Sequence, residues 1–274
     1  MPRSIHFLSG LPRSGSTLLA ALLSQNPLIR ADMSSPLAVM VEKLLPVMGT
    51  GEYAGAFGDP LRRRVLHSLV DGFLGPDEPE HVAIDTNRAW CAHMRLIADL
   101  YPDAVVIACV RDPVWIIDSF EQLVRRNTYS ISGLHGVAHA ATVFDRVERL
   151  MAVTGAFGAA WQALQDAFFG EHAHRLVVVD YDALVAEPLR VLALLYDRLS
   201  LTAFAHDPGN VPPVDAAAFD AHLHTPGLHT LRPTVGRIHR RTILPPQIVS
   251  RLADTAFWRD ETNNPGGAFV IGHD

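Results

Sequence analysis

Lysine is almost missing from this chain. Of 23 basic residues in 274, Lys43 is the only lysine and the rest are arginine. Any chemistry that needs a lysine at a set position is therefore hard to place. Cysteine is scarce too: Cys91 and Cys109 are the only two, without the spacing of a metal site or a redox pair. They read as buried thiols in a reducing compartment. No apolar run is long enough for a membrane helix, and "MPRSIHFLSG" is too short in its apolar part for a signal peptide. The expectation is a cytoplasmic protein without membrane contact. Positive charge is not in surplus either. A net charge of -6 argues against a general nucleic-acid binder, so any anion site must be a local arrangement.

What is plentiful is apolar material, 49% of residues, enough for a sizeable core. Short β-branched runs punctuate the chain: Ser4–Ser9, His81–Asp85, Ala104–Val110 and Arg175–Asp180. Each is almost unbroken, as strands buried on both faces are, and helical patterns lie between them. The class is α/β with a mainly parallel sheet. From about His139 to Phe168 a stripe at helical spacing (Val143, Val147, Leu150, Phe157, Trp161, Leu164, Phe168) marks one core-facing helix, or two broken at Gly155. Between Leu201 and Pro246 the chain turns irregular, rich in Pro, Gly and His, before a short helix near Gln247–Phe257. Such a stretch in a compact chain is usually functional. Nothing divides the chain, and 1–274 is taken as one domain.

Two segments carry chemistry. In "FLSGLPRSGSTLLAALL" a strand runs into Gly10, a loop, then a helix starting near Ser16. Gly15 lets the backbone approach an anion, and the helix start turns unpaired N–H groups to the same spot. Ser14, Ser16 and Thr17 add hydroxyls, and Arg13 adds charge. A nucleoside-triphosphatase loop would carry lysine before its Ser/Thr. Here that position is Ser16, which speaks against a nucleotide kinase. The second segment is "VIACVRDPVWIIDSFEQLVRRN". Arg111 follows the strand at its carboxyl end, Asp112 suits a helix cap and Pro113 a first turn. Ser119, seven residues after Asp112, shares its helix face. Arg111 and Ser119 converge on one anion, or stand as a surface arginine and a solvated serine.

Taken together, these segments resemble the sulfotransferases that use 3'-phosphoadenosine 5'-phosphosulfate (PAPS), especially bacterial members related to the tyrosylprotein type. "GLPRSGSTLL" is similar to their 5'-phosphosulfate loop, and "VRDPVWIIDSF" to their 3'-phosphate motif. "VVVDYDALVAEPLRVLALLYDRLSL", "LRPTVGRIHRRTILPPQIV" and "IDTNRAWCAHMRLIADLYPDAVVIACVRD" match further stretches in the expected order. The likeness runs from Phe7 to about Val249, with Met33–Glu80 and Gly133–Phe169 unmatched. It implies a P-loop-type three-layer α/β/α fold. It implies sulfuryl transfer from PAPS to a hydroxyl or amine of a small-molecule or peptide acceptor, with no metal. Arg13, Ser14, Gly15, Ser16 and Thr17 would hold the phosphosulfate, Arg111 and Ser119 the 3'-phosphate. Tyr181, Gly236, Arg237 and Arg240 would contact or close over the nucleotide, within an irregular segment at about 201–246 for the last three. A P-loop nucleotide kinase, weakened by Ser16, and a non-catalytic nucleotide-binding module of the same fold are the alternatives.

Arg13 and Arg88 are placed to stabilise the leaving oxygen; for Arg88 the plain alternative is a helix-start surface arginine. The base is the open position. Tyrosylprotein-type enzymes carry a Glu where this chain has Met33 and Ser34, and cytosolic relatives carry Lys and His where it has "DTNR". Asp85 is the first candidate and Asp32 the second, although a strand-end carboxylate bonded to backbone N–H groups or to Arg88 describes Asp85 equally well. The histidines of "HLHTPGLH" (His222, His224, His229) read as solvated or loop-packing residues, not as zinc ligands. Arg62–Arg64 read as a solvated helix face. Ile29–Gly58 and Arg125–Ala140 are expected to shape the acceptor pocket, with Met33, Met40 and Leu44 hinting at an apolar cleft.

Overall fold

The computed structural model describes residues 4–75, 82–127, 142–238 and 240–273. His81 and most of the 125–140 segment fall outside them. The described chain folds around a six-stranded sheet: β1 (Ser4–Gly10), β2 (Ile29–Ala31), β3 (Val82–Thr86), β4 (Val106–Val110), β5 (Leu176–Asp180) and β6 (Phe269–Ile271). The order is β2-β3-β1-β4-β5-β6, and every pairing is parallel. The four runs read from the sequence are the four central strands, shifted at their ends by one or two residues. The two strands not foreseen, β2 and β6, are three-residue edge strands. A segment that short carries no periodicity to read.

Side chains alternate between two cores. Phe7, Val106, Ala108 and Val178 face one, while Leu8, Ile107, Cys109 and Val177 face the other. The first face is covered by α2 (Leu37–Gly49), α3 (Asp59–Leu74), α4 (Met94–Leu100), α5 (Pro113–Arg126), α6 (Val143–Met151) and α7 (Gly158–Phe169). The second lies under α1 (Ser16–Leu23), α8 (Tyr181–Ala186) and α9 (Pro188–Arg198). Burial on both sides is why β4 and β5 read as continuous apolar runs. The result is the three-layer α/β/α arrangement. The long apolar stripe before Phe168 is indeed two helices, α6 and α7, separated by residues 152–157 around Gly155.

From β1 the chain crosses to β2 and β3 on one side, then passes over β1 to β4 on the other. That reversal leaves a crevice at the carboxyl ends of β1 and β4, where open α/β sheets bind ligands. Among its described residues the irregular 201–246 stretch contains one short helix, α10 (Ala217–His222), and it leads into α11 (Pro246–Leu252). Among the described residues no helix is long and apolar enough to cross a membrane. Cys91 and Cys109 are both buried and free.

Candidate active site

The loop after β1 is held open by backbone geometry. Gly10 has φ 109°, and a Cβ there would sit 2.1 Å from the Cys109 carbonyl oxygen. Leu11 N–H then donates to that same carbonyl at 2.8 Å, tying the loop to β4. Gly15 has φ 93°, and a Cβ on it would meet the Tyr181 ring at 2.8 Å. Gly15 thus lets α8 close on the loop as well as freeing the backbone for an anion. Arg13 is itself left-handed at φ 59°, unusual for a residue with a side chain and the kind of local strain that gathers at functional sites.

A cavity of about 420 Å³ opens above this loop. Arg13, Ser16, Thr17, Arg111, Ser119 and Tyr181 all line it, so the two anion elements read separately from sequence meet in one place. Arg13 Nε donates to Ser119 Oγ at 3.0 Å, and Arg111 reaches the Arg13 carbonyl at 3.3 Å. The Arg111 guanidinium stacks on the Tyr181 ring, 4.2 Å from its centroid. Burial lowers the Arg111 pKa, and its Nε is buried without a hydrogen-bond partner. Burial, with repulsion from Arg111, lowers Arg13 to about 10, so it stays charged near neutrality. Asp112 caps α5 through Val114 N–H at 2.9 Å, as its position before Pro113 predicts.

The charge balance of the cavity is lopsided. Six arginines line it (13, 88, 111, 126, 232 and 240), and among the described residues no Asp or Glu does. In a chain of net charge -6 this is a concentrated local field that selects anions.

Other expected residues are placed differently. Ser14 is fully buried and shares its one hydroxyl proton between the Leu11 and Cys109 carbonyls, at 2.5 and 2.8 Å, so it shapes the loop from beneath. Asp85 does not line the cavity. The two-residue period of β3 turns it, with Ala83, toward the core under α2–α7, where Trp90 Nε1 donates to it at 2.7 Å. Burial raises its pKa, opposed by hydrogen bonds from Ser35 and Trp90. Asp32 lies exposed beside Arg30. Arg88 does reach the cavity, held there because Ser9 Oγ donates to its carbonyl and accepts from Cys91 N–H. Gly236 lines the wall, whereas Arg237 is exposed and does not. Of the three expected apolar residues, Met33 lines the cavity and Met40 is exposed on α2. Arg62 and Arg63 pair with Asp59 and Asp99 on the surface, as a solvated face should.

Sequence reasoning missed two acidic anchors. Asp118, next to Ser119 and fully buried, pairs with Arg240. It also accepts from Thr242 Oγ1 at 2.8 Å, Ile243 N–H at 2.7 Å and the Gln122 amide at 3.2 Å. Arg240 is therefore an anchor, stacked over Trp115, more than a free cation. The strap from Leu228 to Ile243 is pinned at its far end too, because Arg13 donates to the Leu228 carbonyl.

The second anchor is Asp220 on α10. Its Oδ1 lies 2.6 Å from His229 Nδ1, and its Oδ2 accepts the His229 backbone N–H at 3.1 Å. A carboxylate accepts, so Nδ1 carries the proton and Nε2 is the basic nitrogen. His229 lines the cavity, and burial, helped by Arg13 and Arg88 and opposed by Asp220, holds its pKa below the ordinary imidazole value. The imidazole is thus neutral near pH 7. The signal in the sequence was an Asp nine residues before a His, bridging a Pro-Gly turn, a spacing without a general rule. Among the described residues no three His, Cys, Asp or Glu gather as a metal site.

The fold and site define an α/β protein with an arginine-lined crevice at the carboxyl ends of its parallel strands. A model of the sulfotransferase family matches residues 6–206, well over half of the chain, and the chain belongs to that family. The match ends before the strap and its His229. Solved structures with a similar fold include a sulfotransferase domain from the curacin biosynthetic pathway, at 19% identity over 74% of this chain and 76% of that one, TM-score 0.49. A sulfotransferase from Alicyclobacillus acidocaldarius is 20% identical over 76% and 85%, TM-score 0.48. The sulfotransferase domain of the Synechococcus PCC 7002 olefin synthase is 19% identical over 74% and 75%, TM-score 0.46. No curated protein matches in sequence.

Proposed function

We propose that the protein transfers the sulfuryl group of PAPS to a hydroxyl or amine of a small-molecule or peptide acceptor, in a reducing cytoplasm where Cys91 and Cys109 stay thiols. The observation that carries this is the single cavity joining the β1 loop to Arg111 and Ser119, with six arginines and, among the described residues, no carboxylate. The absence of a carboxylate is a poor match for a magnesium-bound triphosphate, which needs one near its phosphates. The buried, unpartnered Nε of Arg111 fits a phosphate oxygen as its missing acceptor.

Bound PAPS supplies an activated sulfuryl group and an adenosine bisphosphate leaving group. Arg111, braced by Tyr181, holds the 3'-phosphate with Ser119. The α1 N–H groups, Ser16 and Thr17 hold the 5' end. Arg13 and Arg88 stabilise charge developing on the leaving oxygen. The strap, with Gly236, covers the nucleotide. His229 Nε2 takes the acceptor proton, and Asp220 steadies the imidazolium that forms. This pair replaces Asp85 and Asp32 as the base in our reading.

Thermal-shift titration tests the donor site. Adenosine 3',5'-bisphosphate without magnesium should raise the melting temperature, and Arg111→Ala should abolish the rise. Stabilisation by ATP with magnesium and not by the bisphosphate would overturn the proposal in favour of a kinase.

A further inference from the structure

Three carboxylates crowd the stacked pair of Arg111 and Tyr181. Asp112 follows Arg111 in the chain, Asp180 precedes Tyr181 and Asp182 follows it. The register of β4 on β5, with Val110 opposite Asp180, brings them to one end of the sheet. A free carboxylate there would compete with a phosphate for Arg111. Among the described residues none does so, and the Arg111 Nε is buried without a partner. A single side chain holds all three. Arg259 Nε donates to Asp180 Oδ2 at 2.9 Å and Nη2 to Asp182 Oδ2 at 3.0 Å, while Nη1 lies 3.7 Å from Asp112 Oδ2. Each guanidinium nitrogen thus faces a different carboxylate, a planar fork that lysine cannot reproduce. Arg259 ends the 3-10 helix Phe257–Arg259, whose Trp258 is buried and donates its own Nε1 to Asp180 at 3.1 Å. The Trp161 ring packs on Phe257 and Trp258, with centroids 5.2 and 5.8 Å apart, so the clamp stands on a fixed base.

We propose that Arg259 is a positioning residue for the 3'-phosphate: it locks the starts of α5 and α8 together and keeps Asp112, Asp180 and Asp182 from Arg111, which stays open to the nucleotide. This rests on the sulfotransferase reading above. Asp112 caps α5 through Val114 N–H, and Asp180 caps α8 through Asp182 N–H, both at 2.9 Å. A residue that grips both caps fixes α5, which carries Ser119, against α8, which carries Tyr181. Asp182 is the carboxylate with most freedom to leave, its side chain 39% exposed. Burial lowers the Arg111 pKa, and Asp182 is among the charges that oppose this, so it already acts on that guanidinium. Released from Arg259, Asp182 turns to Arg111 and occupies it in place of the phosphate. Arg259 itself does not line the cavity, so it acts only through these neighbours.

Calorimetric titration of the full chain with adenosine 3',5'-bisphosphate and with adenosine 5'-monophosphate, which lacks only the 3'-phosphate, tests this. Arg259→Gln should weaken the bisphosphate by about tenfold or more, the loss of a hydrogen bond to a charged group, and leave the monophosphate within about twofold. Adding Asp182→Asn to that variant should recover most of the bisphosphate affinity, because the competing charge is gone. A residue that only stabilised the fold would weaken both nucleotides alike and would not be rescued by removing a carboxylate. Arg259→Lys keeps the charge without the fork and should show the same selective loss at about threefold or more; it carries the test if the Gln variant does not fold. Equal losses for the two nucleotides, unchanged bisphosphate affinity, or no recovery in the double variant overturns the proposal. A parent protein that does not prefer the bisphosphate to the monophosphate is a different result: it removes the donor reading and the proposal with it.

Discussion

Replacing Asp118 by alanine removes one acceptor from four donors at once: the Arg240 guanidinium, the Thr242 hydroxyl, the Ile243 N–H and the Gln122 amide. The carboxylate is fully buried, so no water stands ready to replace it. Taking one partner from a buried ion pair destabilises by about 3–5 kcal/mol. The Arg240 side chain is 22% exposed and can turn outward, which favours the lower end. We therefore expect about 3 kcal/mol, a fall in melting temperature of roughly 6–12 °C. The strap carries Gly236, Val235 and Leu231 to the cavity, so undocking it should also weaken adenosine 3',5'-bisphosphate binding by about tenfold or more. Calorimetric titration and thermal denaturation read both effects. Arg240→Ala completes a double-mutant cycle, in which the double variant should lose less than the sum of the single losses. Thr242→Val is the mild control, at about 1 kcal/mol. If Asp118→Ala melts within about 2 °C of the parent and binds the bisphosphate within about twofold, the strap is not held by this residue and the reasoning fails.

Gly15→Ala should cost about 1–2 kcal/mol from the left-handed backbone alone. The added methyl also displaces the Tyr181 ring that supports Arg111, so bisphosphate affinity should drop with stability; unchanged affinity would mean that Tyr181 does not position Arg111. For His229 the sign is set by burial: its pKa is depressed, so the neutral base persists to below pH 6.5 and kcat/KM should fall only as pH drops past that depressed value. His229→Asn should erase this acid limb and lower kcat by about 10²–10⁴-fold. Asp220 raises the His229 pKa, so Asp220→Asn should move the limb to still lower pH. A limb that survives in His229→Asn would assign the proton to another group.

Local interactions make much of this protein legible in its sequence. The four central strands follow from side chains apolar enough for both faces of a sheet. The start of α5 follows from Asp112 and Pro113, whose cap and first-turn roles act within three residues. The loop after β1 is equally local, since the strand, its glycines and the helix start are contiguous. Even the meeting of Arg111 with the loop follows, because both succeed strands of one parallel sheet.

Contacts between distant segments decided the rest. Nothing near Asp85 in the chain says that it points away from the crevice. The pleat and the Trp90 indole settle that. Nothing near Asp118 says that it will hold residues more than a hundred positions later, or that Arg240 arrives already paired. His229 is one of several loop histidines until α10 folds back and sets Asp220 beside it. A strand or a cap is encoded by its own few residues. A buried charge finds its partner only when the fold has removed water from both and left each nowhere else to bond.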